Sequence, residues 1–430
     1  MTYLVIKFGG TSVGSIEHIK AAASRVADLK SQGNKIVVVV SAMAGETNRL
    51  SDLTKAFKTK NPKAYDTIVS TGEQVTTGLM VMALQEQNVA AQSLQGWQVP
   101  LITSPDFSKA RFESVPVQNL TALLDQDIIP VIPGFQGVTK DGEITTFGRG
   151  GSDVTAVILA AALKAKACHL YKDVPGILSS DPNLVDNPQI LEHLGIEEMF
   201  EMSSQGAKVI HPRAIEAALV HKVDLKILPT FDTGKGTTIS SGTSSDTSSC
   251  TTPLESQSIT GIVCNNDEIR ICLQNIPTSP GATACLFEAF AKANISLDMI
   301  LQGGAATTDS PTQNLTFTLS ESDEKEAISL TKGLQKTIGF THMDIHPRIA
   351  KVSLVGAGLR GHASVAHVLH KTLSDLGISL YGMTTTELKM SVLVSNEYAP
   401  QLVKALHDNF NLTKQKRKEG NHAPSSTLSA

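Results

Sequence analysis

The chain has 430 residues, with 37 lysines and arginines against 41 acidic residues, a net charge of −4, and 41% hydrophobic content. That length calls for roughly two to four domains, and the balanced charge gives no electrostatic reason to expect nucleic acid or an anionic membrane as partner. No apolar run approaches the ~18–20 residues of a membrane-spanning helix. The five cysteines (Cys168, Cys250, Cys264, Cys272 and Cys285) show neither CxxC nor metal spacing, so free thiols in a reducing cytoplasm are expected.

The chain starts at once in an apolar strand, Tyr3-Leu4-Val5-Ile6, with no cleavable signal pattern. At its end stands Lys7-Phe8-Gly9-Gly10-Thr11-Ser12, which is not a Walker A loop because the lysine precedes the glycines. Gly9 and Gly10 let backbone N–H groups approach phosphate oxygens, the following helix adds its positive end, and Lys7 can offset charge on a moving phosphoryl group. Taken alone, the string also fits a plain β–α turn. A helix is expected over Ser15–Leu29, with Ile16, Ile19, Ala22, Ala23 and Val26 on one face, followed by a strand at Lys35–Val40.

The segment from Ser41 to Asn48, including Thr47, follows that strand where a second ligand loop would lie. Ser70-Thr71-Gly72-Glu73 precedes a helix expected over Gly78–Gln87, and Glu73 fits either an ammonium partner or an ordinary first-turn glutamate. A strand at Asp127–Ile132 leads to Gly148-Arg149-Gly150-Gly151-Ser152-Asp153 and an alanine-rich helix over Asp153–Lys166. Arg149 offers a planar fork for a carboxylate, with Ser152 in support, while Asp153 fits both a helix cap and an orienter of Lys7 or of a metal-bound phosphate. This β–α alternation predicts a mostly parallel sheet with its ligand loops at the strands' carboxyl ends.

Composition changes abruptly between Thr233 and Ser258, where serine and threonine dominate, and a linker is expected there. Beyond it an internal repeat of a little over eighty residues reads βαββαβ in its first copy: Ile269–Gln274, Gly281–Ala293, Ile295–Leu301, Leu315–Leu319, Glu324–Lys336 and Thr341–His346. The second copy ends after a helix at Ala399–Phe410 and lacks its last strand, a vacancy that Ser258–Cys264 can fill. The expected division is 1–235, a linker at 236–257, one small domain at 265–346, a second from 258–264 with 347–413, and a flexible tail at 414–430.

KFGGTS at 7–12, SAMAGETN at 41–48, TGE at 71–73 and FGRGGSDVTA at 147–156 together resemble the aspartate kinase (aspartokinase) family. So do YKDVPGILSSDP at 171–182, GAKVIHP at 206–212, and, in the two C-terminal copies, NISLDMILQ at 294–302 and KVSLVGAGLRGH at 351–362. The resemblance covers nearly the whole chain. It implies an α/β amino-acid-kinase sandwich followed by two ferredoxin-like ACT domains, and transfer of phosphate from Mg-ATP to the β-carboxylate of L-aspartate. That reaction needs positioning and charge neutralisation rather than a general base, because the acceptor is already ionised.

By the same resemblance, Lys7 and Asp153 are catalytic, and Ser41, Thr47, Glu73, Arg149 and Ser152 hold aspartate. Lys7, Phe8, Gly9, Gly10, Lys172, Asp173, Leu178, Asp181, Lys208 and Val209 hold ATP, its Mg2+ being carried by the nucleotide, and His211 is structural. Lys172 and Leu178 depart from the family pattern, which has threonine and tyrosine there, and Asn183 stands where a basic residue is frequent. The ACT copies imply feedback by an amino acid, lysine or threonine, near Pro280, Gly281, Ala282, Asn294, Asp298 and Gln302, in a homodimer joined through these domains. Two rivals stand beside this reading: a kinase for a glutamate-type acceptor, and a catalytically silent amino-acid sensor.

Overall fold

The computed structural model describes residues 2–240, 259–279, 281–303 and 312–413. Pro280, Cys250, most of the expected linker and the 414–430 tail lie outside them. An eight-stranded sheet runs in the order His193–Gly195, Thr237–Ser240, Leu225–Pro229, Ala167–Lys172, Tyr3–Phe8, Lys35–Val40, Ile129–Pro133 and Ala91–Ser93. Every neighbour is parallel except Leu225–Pro229 with Thr237–Ser240.

Alternation along the strands explains the layers. Val5, Val37 and Val39 point into one apolar cluster with helices Gly151–Ala162 and Pro212–His221, while Leu4, Ile6, Val38 and Val40 join helices Ile16–Ser31 and Thr71–Glu86 on the other face. Both faces are covered, so the central strands are buried throughout and read as continuous apolar runs. A separate four-stranded sheet, in the order Phe112–Ser114, Ile102–Thr103, Gln136–Val138 and Ile144–Thr146, lies beside the site.

Several elements differ from expectation: residues 46–48 of the expected ligand loop, Thr47 among them, open helix Glu46–Thr54, and the strands expected at Ser258–Cys264 and Ile269–Gln274 are one continuous strand, Ile259–Pro277. Thr237–Ser240, read as the start of the linker, is a strand of the main sheet, with Thr237 and Ile239 fully buried. Four alternating residues inside a serine- and threonine-rich stretch leave too short a period to stand out. The helix expected over Gly78–Gln87 begins at Thr71, well before Gly78. Gly72 lowers its local helix preference, yet a side chain there would come within 2.8 Å of the Ala42 methyl.

The C-terminal residues form a six-stranded antiparallel sheet, in the order Leu297–Gly303, Thr312–Ser320, Ile259–Pro277, His342–Gly356, Lys389–Ser395 and Gly382–Thr385. Its two long central strands pair along most of their length, with register shifts around Asn265–Arg270. Residues 259–265 pair with 351–356 and residues 268–274 with 342–349, so the chain crosses from one half of the sheet to the other within a single strand. The Ile262 N–H donates to the Ser179 carbonyl at 2.7 Å, joining this sheet to the loop that follows strand Ala167–Lys172.

Candidate active site

Lys7 lies near the end of its strand, 4% exposed, with its ammonium 2.5 Å from Asp153 Oδ1. Asp153 is the third residue of helix Gly151–Ala162 and does not cap it. Gly150 takes the N-cap position at φ +72°, and a side chain there would run into the His211 ring, so conformation and space both require glycine. The Asp153 carboxylate is instead held by two ammoniums, since Lys172 Nζ lies 2.8 and 3.1 Å from its oxygens. Burial alone would raise the Asp153 pKa, but the two cations outweigh it and hold the carboxyl well below the usual range. For Lys7, burial dominates and pulls the ammonium down to about 8, with Asp153 opposing the fall and Lys172 adding to it. Two ammoniums against one carboxylate leave one net positive charge at the base of the site.

Above this cluster opens a cavity of about 1390 Å³, whose walls include Ser41, Thr47, Glu73, Arg149, Ser152, Lys208 and His211. A second cavity of about 670 Å³ shares Lys7, Gly10, Lys172, Asp181, Lys208 and Val209 with it and adds Gly9, Asp173 and Leu178. The expected acceptor and nucleotide residues therefore converge on two adjoining spaces with Lys7 and Lys172 between them. Phe8 is the exception. Its ring is fully buried and stacks on Tyr171 at 5.0 Å, so it supports the loop from the core and lines neither cavity.

Glu73 is the most unusual member. It is 3% exposed, and its Oε2 has no hydrogen-bond partner. Burial pushes its carboxyl up to about 7, against the pull of the Ala42 and Glu73 backbone groups and the Lys7 charge. A buried carboxylate oxygen left unsatisfied in a cavity wall costs free energy unless a ligand completes it. Arg149 is exposed on the same cavity and has no hydrogen bond or ion pair to any described residue. His211 caps helix Pro212–His221, its Nδ1 accepting the Arg213 N–H at 3.3 Å, and burial lowers its pKa.

In the C-terminal sheet, the expected effector residues already have local roles. The Asp298 carboxylate is ion-paired with the buried Lys351, whose ammonium also lies 2.8 Å from Glu268. Gln302 donates to Gln313 at 2.8 Å. Asn294 and Gly281 have φ of +54° and +85°, and helix Ala284–Lys292 begins after Gly281 and Ala282, not at them.

Three further residues near the site are not among the sequence expectations. Asp66, fully buried, accepts four hydrogen bonds of 2.7 to 3.0 Å from Ser108 and Thr146, tying helix Pro62–Val69 to the turn at Ser108 and to strand Ile144–Thr146, which leads into the glycine loop. Arg213 donates to the carbonyls of Phe147 (2.5 Å) and Ala110 (3.1 Å), fixing the start of the same loop. Ser180 is buried in the smaller cavity's wall with an unpartnered hydroxyl. Asp66 and its partners are far apart in sequence, so only the fold reveals them. Arg213, two residues past the conspicuous His211, was the one within reach of a search for cations.

A family model described as amino acid kinase matches residues 2–228, and an ACT domain model matches 352–410. An aspartate kinase of Pseudomonas putida is 41% identical over 413 residues, covering 96% of this chain and 98% of that protein. Aspartokinase 2 of Bacillus subtilis is 36% identical over 415 residues, covering 96% and 99%. Among solved structures, E. coli aspartokinase III in complex with aspartate and ADP has the same fold, with a TM-score of 0.78 at 24% identity over 95% of this chain and 99% of that one. Aspartate kinase from Synechocystis matches at 33% identity and a TM-score of 0.51, over 97% of this chain and 71% of that one. Motifs, fold and near-full-length likeness agree, and the chain belongs to the aspartate kinase family.

Proposed function

We propose that the chain transfers the γ-phosphate of ATP to the β-carboxylate of L-aspartate, giving 4-phospho-L-aspartate and ADP. The observation that carries this reading is the buried Glu73 oxygen in the cavity that also holds Arg149, both without a partner among the described residues. An anion-binding fork and a carboxylate awaiting a cation suit the two charges of an α-amino acid, and they leave a side-chain carboxylate free to react. Arg149 takes the α-carboxylate, supported by Ser152, while Glu73 takes the ammonium and Ser41 and Thr47 orient the backbone of the substrate.

The nucleotide occupies the smaller cavity, with its phosphates over Gly9 and Gly10 and its remaining contacts to Asp173, Leu178, Asp181, Lys208 and Val209. A β-carboxylate oxygen attacks the γ-phosphorus, the bond to the β,γ-bridging oxygen breaks, and ADP leaves with that electron pair. Lys7 and Lys172 neutralise charge that spreads over the phosphoryl oxygens, and Asp153 holds both ammoniums in place. Mg2+ carried by ATP would supply charge neutralisation at its phosphates. Both Asp153 oxygens are engaged by ammoniums, which leaves the exposed Asp173 and Asp181 as the carboxylates able to meet that ion or its waters.

We assign residues 1–235 to this chemistry and the two C-terminal ACT units to feedback by an amino acid, lysine before threonine, in a cytoplasmic homodimer. Coupled ADP-release assays with aspartate, with glutamate and without acceptor test the reading. ADP formation that depends on aspartate and is far slower with glutamate is expected. Equal rates in all three would overturn it.

A further inference from the structure

The segment that lines the smaller cavity, Leu178 with Ser180 to Asn183, is fastened to the last described helix of the chain. Ser179, fully buried, is the fastening point. Its hydroxyl donates to the Leu412 carbonyl at 3.1 Å, accepts the Gln189 N–H at 3.0 Å, and lies 2.9 Å from His407 Nε2. A hydroxyl has one proton and two lone pairs. With the proton given to Leu412 and one lone pair taken by Gln189, the remaining lone pair assigns the donor role to His407 Nε2. The Ser179 carbonyl is held in addition by the Ile262 N–H.

His407 is 1% exposed and lies on helix Ala399–Asn409, whose Leu402, Val403 and Leu406 pack in one apolar cluster with Val185, two residues beyond that segment. Lys404, on that helix too, pairs with Asp186 at 2.8 Å. The nucleotide-cavity wall thus packs into the C-terminal unit as well as the catalytic one.

We propose that His407 is a positioning residue for the nucleotide: by donating to Ser179 it sets the wall from Leu178 to Asn183, and so couples the last helix of the ACT unit to nucleotide binding. This rests on the smaller cavity being the nucleotide site. Removing the donor leaves a buried hydroxyl lone pair unsatisfied, and the wall must shift or admit water to relieve it.

The test compares His407→Leu, His407→Gln and Ser179→Ala in the full chain. Calorimetric titration gives the ADP Kd, and steady-state assays give KM for ATP and for aspartate. His407→Leu is expected to weaken ADP and raise the ATP KM about tenfold, the effect of losing one buried hydrogen bond. The aspartate KM should stay within about twofold, and His407→Gln, whose amide can donate, should recover most of the loss. Ser179→Ala, which removes little volume, should follow His407→Leu and serves if the leucine variant does not fold. ADP and aspartate affinities falling together, or glutamine performing no better than leucine, would overturn the proposal. ADP titration does not depend on turnover, so an unsubstituted chain that binds ADP but fails to phosphorylate aspartate would count against the functional reading alone.

Discussion

Replacing Glu73 by glutamine should make the unliganded protein more stable and a much poorer binder of aspartate. Burial holds the Glu73 carboxyl at about 7 against an ordinary value of 4.5. Between those values the native state keeps a proton that the unfolded chain has released, so stability falls as pH rises through the window and the deficit is complete above pH 7. The interval corresponds to ~3 kcal/mol, and glutamine removes it while preserving shape and one acceptor. At pH 8, thermal unfolding of Glu73→Gln should therefore occur roughly 5 °C higher than the parent, with no gain at pH 4. The same change strips the buried partner from the substrate ammonium, and the aspartate KM should rise roughly 100-fold, the scale for breaking a buried charge pair. In the parent, aspartate KM should rise about tenfold per pH unit below 7, as the carboxyl takes up its proton. Unchanged thermal stability at pH 8 together with an aspartate KM within threefold of the parent would refute this account of Glu73.

Lys172→Thr removes one of the two ammoniums on Asp153 and relieves a charge that depresses the Lys7 pKa. The ATP KM should rise, and the alkaline fall of kcat/KM, set near pH 8 by Lys7, should move upward; an unchanged ATP KM and pH profile would speak against it. Gly150→Ala forces an L-residue into φ +72° and drives its methyl at His211, so a stability loss of about 2 kcal/mol or more by denaturant titration and loss of most activity are expected. Asp298→Asn keeps a hydrogen-bond acceptor for Lys351 while removing the negative charge. Lysine titration of its activity should show weakened inhibition with the uninhibited rate preserved, whereas alanine at that position would also strip a partner from a buried ammonium.

The residues that converge on the two cavities were legible where they stand in short strings of unusual composition. Lys7 beside two glycines, Arg149 ahead of Asp153, and Glu73 after a glycine each also fit a plain turn, a cap or a first-turn role, and it was their combination along one chain that pointed to a ligand site. What those residues do to each other was not legible. From sequence, Asp153 at a helix mouth fits a cap, and only the spatial arrival of Lys172 turns it into the link between two cations. Lys351 stands in an alternating apolar strand where a lysine ordinarily faces water, yet it is 2% exposed because Glu268 and Asp298 converge on it. The same holds for Ser179 and His407, 228 positions apart. Periodicity recovers the strands and the layers they must form; pairings across hundreds of residues come only from the folded chain.

The most direct measurement follows the oxygen that makes the new bond. Aspartate labelled with 18O in both β-carboxylate oxygens is incubated with ATP and the protein, and the product is cleaved with hydroxylamine, which attacks the acyl carbon and releases phosphate. Attack by the β-carboxylate on the γ-phosphorus predicts one 18O in each released phosphate, with aspartate β-hydroxamate formed in equal amount. Unlabelled phosphate, or ADP formation without hydroxamate, would contradict the account.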